Sequence, residues 1–294
     1  MRWSPLARKE CRTIVTSKGT WLLVPLIILW GFRPTYAGWG ALHQNITIGY
    51  IQIGASFLLP LGTMLLGYQS LVSERTSGSI KFLLALPLTR THVLLGKTIG
   101  RFVGVGAIAL LSFLLLAIIG IVEYGIFSVF LYLGVIIATL LLVADFIAIA
   151  VAISAVTKRT VTAATSIVGV FLILLGWQSI VRNLYSALTG IQISPYNPPA
   201  DGPFFLLLRL TPDAAYNVLT NWVLGVGNSA DLFHFVYMQI QPSSQINAYV
   251  VDTTFQSGTV PWYLHPALSI VILLVWLILP LGLARVLFNR GDAL

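Results

Sequence analysis

The sequence predicts an all-α polytopic membrane protein. It has six transmembrane helices, an amphipathic surface helix before them, and a long outer segment between the fifth and sixth spans. Three observations predict this. Hydrophobic residues make up 57% of the 294 positions and charged residues only 9%, where a soluble domain carries about 25% charged. The mean hydropathy is +0.90, and the apolar residues gather into runs near the roughly 20 residues that a spanning helix needs. Finally, 14 of the 17 Lys and Arg residues fall on one side of the alternating apolar runs.

Residues 1–18 read as a helix lying on the membrane, with Ser4 as N-cap and Pro5 in its first turn. Trp3, Leu6, Ala7, Ile14 and Val15 share a broad face, while Arg8, Lys9, Arg12 and Lys18 offer cations to anionic head groups. The basic stretch is too long, and the following run too poor in a small-residue cleavage site, for a secretory signal. The spans are expected at 20–36, 46–72, 94–122, 126–157, 161–181 and 263–288. The first has a short apolar core and needs its flanks, with Arg33 snorkelling outward. The second carries Pro60 near its middle, which predicts a kink. The third opens with Lys97 and Arg101 on one face, and its Gly100 and Gly104 form a GxxxG for close helix approach.

The fourth span contains Asp145. A carboxylate at membrane depth is costly unless it faces protein or water, or carries a proton. The reading favoured here is a helix-to-helix hydrogen bond; the sharper one is a proton or cation site. Residues 182–262 form the extracytoplasmic segment. Inside it, Arg209, Pro212 and Asp213 argue against a seventh span across Phe204–Leu224, and Pro212 is expected to start a helix.

The cation distribution sets the topology: both termini and the loop at 74–93 lie in the cytoplasm, in a multi-pass protein of the cell membrane. It also explains the net charge of +8 without a nucleic-acid partner. One cysteine, Cys11, excludes an internal disulfide, and His43, His92, His234 and His265 lack ligand spacing, so no metal site is expected. Gly96-Lys97-Thr98 ends like a phosphate-binding loop, but Thr91 stands where that motif needs glycine and no strand precedes it. No ATPase motif is therefore expected in this chain.

The longest polar interruption on the cytoplasmic side is Glu74 to Lys97, ERTSGSIKFLLALPLTRTHVLLGK. Thr76, Ser77 and Gly78 are turn residues, Ser79 is a candidate N-cap, and Pro87 ends the apolar stretch Ile80–Leu86. A short helix with exposed Leu and Phe beside a membrane marks a partner surface.

The order Glu-Arg, Gly-Ser-Ile, Leu-Leu, Pro-Leu-Thr-Arg, Leu-Leu-Gly-Lys resembles the first cytoplasmic loop of ABC-2 type transporter permeases, the membrane subunits of ABC exporters. The resemblance implies a coupling helix that docks in a groove of a separate ABC ATPase. Phe82, Leu83, Leu84 and Leu86 would fill the groove, Gly78 would aim the helix, and Glu74, Arg75, Lys81 and Arg90 would set register by charge. It further implies two ATPase copies, a second permease copy or a related permease, and ATP with Mg held on the partner, leaving no cofactor for this chain. Two other classes compete: a secondary transporter driven by ions through Asp145, and a non-transporting assembly factor working through residues 182–262. No inverted repeat supports the first of these. No charged ring or aromatic cage in the spans marks a cargo.

Overall fold

In the computed structural model, residues 3–35, 37–79, 88–232, 248–255 and 259–289 are described. Among them every regular element is helical. Helix α1, Ser4–Thr16, carries Pro5 in its first turn, with Trp3 rather than Ser4 at the N-cap position. A 3₁₀ turn at Thr20–Leu22 leads into α2, Leu23–Gly31. The helix predicted to reach 36 therefore stops at Gly31, and the chain bends by 64° between Ser4–Thr16 and Thr20–Gly31. Thr20–Gly31 alone rises about 18 Å, short of a roughly 30 Å hydrocarbon core.

The second predicted span is three helices: α3 (Ile46–Ser56), α4 (Leu58–Gly67) and α5 (Gln69–Thr76). They bend by 41° at the first break. Pro60 causes it from three residues downstream. Its ring nitrogen cannot donate to the Ser56 carbonyl and its Cδ crowds that group, so the ladder opens at Phe57 (φ −127°, ψ −58°). Helix α6, Arg90–Tyr124, begins in a capping box in which the His92 amide donates to Thr89 Oγ1 at 3.2 Å. It ends at Gly125, whose φ of +84° favours glycine.

Helix α7, Val129–Val156, follows the cap Ser128. Helix α8, Thr160–Thr189, runs well beyond the predicted end at 181, so Arg182 lies in a helix, not at the start of a loop. Between α8 and the last helix come α9 (Gly202–Leu208), capped by Asp201, then α10 (Pro212–Val223) and α11 (Val251–Thr254). Pro212 opens α10 as expected. The chain closes with α12, Leu268–Asn289, which contains Pro280.

Four of these helices, α6, α7, α8 and α12, are long and apolar enough to cross a membrane singly, and six spans result if each bent pair counts as one. Helix α7 is the hub. Its spanning window is 72% buried against 22% for α8 and 11% for α12. Helices α12, α4, α6 and α10 pack around it. Close approach is built into the sequence: a Cβ on Gly67 of α4 would sit 2.4 Å from Ala150 Cβ of α7.

The stretch between α8 and α12 is more than a connection. Phe204, Phe205, Leu208, Val218, Tyr249, Val251 and Leu264 form a second apolar core with Val181 of α8. Arg209, which argued against a span in the sequence, is 3% exposed. Its guanidinium donates to the Leu264 and Asn228 carbonyls, stapling two loops together. Burial lowers its pKa to about 10, with Asp252 acting the other way. Helix α10 also reaches the bundle: Gln52 of α3 donates to Thr220 Oγ1 and Asn221 Oδ1, each at 2.7 Å, and Thr139 of α7 meets the Tyr216 hydroxyl at 2.9 Å.

Candidate coupling site

Helix α1 docks on α6 along a groove of glycines. A Cβ on Gly100 would lie 2.3 Å from the Ala7 carbonyl oxygen, and one on Gly104 would lie 3.0 Å from Ile14 Cβ. The GxxxG of the third span thus receives the N-terminal helix. Leu6, Ala7, Glu10 and Ile14 form the docked face, and Arg8, Lys9 and Arg12 stay on the opposite one.

Glu10 sits in the middle of that contact, 5% exposed. Lys97 Nζ of α6 donates to Glu10 Oε1 at 2.7 Å and to Glu74 Oε1 of α5 at 2.9 Å. Arg101 Nη2, one turn along α6, reaches Glu10 Oε2 at 3.0 Å. Its Nη1 also donates to the Leu66 carbonyl of α4. Two acids and two bases therefore neutralise one another inside the protein, joining α1, α4, α5 and α6. Charges this buried persist only when paired and hydrogen-bonded.

Sequence reasoning picked out Glu74, Lys97 and Arg101 but missed Glu10. The signal was present: Glu10 is the sole acid of α1 and lies four residues from both Leu6 and Ile14, on the apolar face.

A second clasp flanks the first. The Arg75 guanidinium donates to the Thr157 carbonyl at 2.6 Å and to the Ala155 carbonyl, at the open end of α7. Such carbonyls lack helical partners and carry the negative end of the dipole. Arg90, in the first turn of α6, donates to the Phe288 carbonyl of α12. The Phe288 ring lies 5.4 Å from the Arg75 guanidinium and 5.3 Å from that of Arg90.

Glu74, Arg75 and Arg90, expected to set register with a partner, thus make polar contacts inside this chain and fix the two roots of the loop. Gly78 closes α5 with φ +74°, its amide donating to the Arg75 carbonyl at 3.1 Å. Lys81, Phe82, Leu83, Leu84 and Leu86 lie outside the described residues.

Asp145 is fully buried in α7, and among the described residues neither carboxylate oxygen has a hydrogen-bond partner. Among the described residues the expected helix-to-helix hydrogen bond is not formed. Ser154 Oγ accepts from the Leu71 and Val72 amides at 2.9 and 3.0 Å. With Gly67 against Ala150, that register brings Thr63 to the level of Asp145. The Thr63 hydroxyl is also buried without a partner.

Residues 4–293 match the family described as ABC-2 family transporter protein. The chain is 34% identical over 119 residues to a protein of Stutzerimonas stutzeri named probable ABC transporter permease protein NosY, covering 37% of this chain and 41% of that one. It is 32% identical over 105 residues to a protein of the same name from Pseudomonas aeruginosa, covering 33% and 37%. The chain thus spans about two fifths of the length of the curated relatives it matches. With a match along nearly its whole length, the chain belongs to the ABC-2 transporter family.

Proposed function

We propose that this chain is the membrane-spanning permease subunit of an ATP-driven ABC exporter. It forms the translocation path with a second permease copy or a related permease, above two separate ATPase chains that hold ATP and Mg. Both termini and the loop at 74–93 face the cytoplasm, and the loop is the coupling element. Phe82, Leu83, Leu84 and Leu86 anchor it in the ATPase, and Lys81 adds a charge at that surface.

The observation that carries this reading is the ion cluster at the loop's roots. Lys97 ties the end of α5, before the loop, to the start of α6, after it, and Glu10 ties both to α1. A push on residues 80–87 then moves three helices together. Without such a clasp, the loop would absorb the stroke by flexing. ATP binding would close the ATPase dimer and tilt this unit against the α7 hub.

The test is co-purification of an ATPase encoded beside this chain. Leu83→Asp puts a charge in an apolar contact, and burying a leucine is worth roughly 1.5–3 kcal/mol. The complex is expected to dissociate while membrane yield of the permease is unchanged. A complex that survives with its ATP hydrolysis intact would remove the loop from the coupling path.

A further inference from the structure

Toward the outer side of the bundle, α2, α3, α7, α8 and α10 enclose a cavity of about 530 Å³. That size lies within the range of small-ligand sites, about 300–1,000 Å³. Its walls divide by chemistry. Trp30, Phe57 and Leu175 supply an apolar side. Asp213 and Asn217, one turn apart on α10, line it too. Arg33 and Arg182 line it as well, with Asp231 and Tyr216.

Two oxygens of α10 keep no hydrogen bond of their own, although the Thr211 hydroxyl and the Asp213 and Ala214 amides lie close to the Asp213 carboxylate. Asp213 Oδ1 and Asn217 Oδ1 are both buried and have no hydrogen-bond partner among the described residues. Asn217 Nδ2 already donates to the Ala230 carbonyl at 3.1 Å, which fixes the amide with its oxygen unused. Two neighbouring acceptors without a donor call for a group rich in N–H. An ammonium has three, and a positive charge to match the carboxylate.

The cations make the opposite demand. Arg33 uses Nε on the Trp30 carbonyl, and its guanidinium lies 4.5 Å from the Trp30 ring. Arg182 stacks on Tyr249 at 5.1 Å. Neither has an ion pair with a carboxylate among the described residues, so both suit an anionic group. Arg182 and Ser179 also line a second cavity of about 350 Å³, whose walls include Asn183, Gln192 and Tyr249 of the outer side. Arg182 therefore stands where the inner cavity meets an outward route.

We propose that this cavity binds a zwitterion with a primary ammonium, held by Asp213 and Asn217, and an anionic group held by Arg182 and Arg33. Trp30, Phe57 and Leu175 then accommodate an apolar portion. The phosphoethanolamine group satisfies this chemistry, as a lipid head group or free. The inference rests on the cavity and stands apart from how the loop at 74–93 couples to an ATPase.

Calorimetric titration of the purified chain in detergent tests it. The probes are short-chain phosphatidylethanolamine, the matching phosphatidylcholine and phosphatidylglycerol, and free O-phosphoethanolamine. Phosphatidylethanolamine is expected to bind at least tenfold more tightly than phosphatidylcholine, whose quaternary ammonium has no N–H. Asp213→Asn is expected to erase that preference and to leave phosphatidylglycerol binding unchanged. Arg182→Gln should weaken every phosphate-bearing probe. Asn217→Leu, which removes one acceptor and the donor to the Ala230 carbonyl, a carbonyl still bonded by Gln178, should cut the preference several-fold, so the proposal is tested even if the Asp213 variant misfolds.

Free O-phosphoethanolamine binding as tightly as the lipid assigns a soluble zwitterion. Binding of the lipid alone assigns a head group. Burial pushes the Asp213 carboxyl up to about 6, so the preference should fade as pH drops below that value. The groups sharing the cavity with it are Arg33, Arg182, Asp231 and Tyr216. Equal affinity for phosphatidylethanolamine and phosphatidylcholine, or no binding of either form of phosphoethanolamine, would overturn the proposal.

Discussion

Replacing Lys97 by methionine tests the ion cluster most directly. Methionine keeps most of the side-chain length and volume, so packing against α1 is retained while the charge goes. The loss is not symmetrical. Glu10 keeps Arg101 at 3.0 Å, but Glu74 loses its one ion-pair partner among the described residues. Glu74 Oε2 already lacks a hydrogen bond. Breaking a buried pair from one side costs about 3–5 kcal/mol, because the other charge is left uncompensated. The Glu74 side chain is 16% exposed against 7% for Glu10, so some water reaches it and the lower end of that range applies. Lys97→Met should therefore destabilise by about 3 kcal/mol, read from reversible unfolding in mixed micelles. Adding Glu74→Gln should restore part of this, since the stranded charge is removed. Glu10→Gln should cost more than Glu74→Gln alone, because it affects both cations in a drier site. A Lys97→Met protein within about 1 kcal/mol of the parent, or no recovery in the double variant, would show that the cluster does not hold the loop's roots.

Gly100→Val should unseat α1 from α6, since its first side-chain carbon meets the Ala7 carbonyl. The expected cost is about 1–3 kcal/mol, with faster proteolysis after Lys9 or Arg12. In a Cys11→Ser background, a cysteine at the exposed position Gln192 should react with an impermeant thiol reagent in intact cells, and one at Lys158 should not; the reverse pattern would invert the topology. Asp145→Asn should leave the transporter assembled and most of its transport intact in vesicle assays; an assembled but inactive variant would instead place a coupling proton on that residue. Asp213 binds its proton more tightly in the folded protein than at its ordinary value of 3.8, so stability should rise as pH falls from about 7.5 to about 5. Asp213→Asn should abolish that rise, as measured by thermal unfolding across the same pH range.

The four long apolar helices were legible because apolar length is a property of single segments, whatever they pack against. The two bent pairs were less so. Pro60 announced a kink, but the break falls at Phe57, since proline disturbs the carbonyl four residues before it. The end of α8 was missed because Arg182 reads as a stop signal, although its stem can stay helical while the guanidinium stacks on Tyr249. In the candidate site, Lys97 and Arg101 announced one polar face, but their acids come from segments 87 and 23 residues away from Lys97. No periodicity reports a pairing of that range.

Arg75 and Arg90 carried the same ambiguity. A cation beside an apolar loop looks free for a partner until the end of α7 and Phe288 of α12 are seen to occupy it. This divides the labour within Glu74–Lys97. The charges at its two ends hold the loop's roots to their own bundle, so the coupling contact proposed above falls to the apolar residues between them. A docking element built that way needs little charge of its own. Its affinity should then depend weakly on salt, and a large dependence of ATPase binding on ionic strength would argue that Lys81 or the roots take part directly.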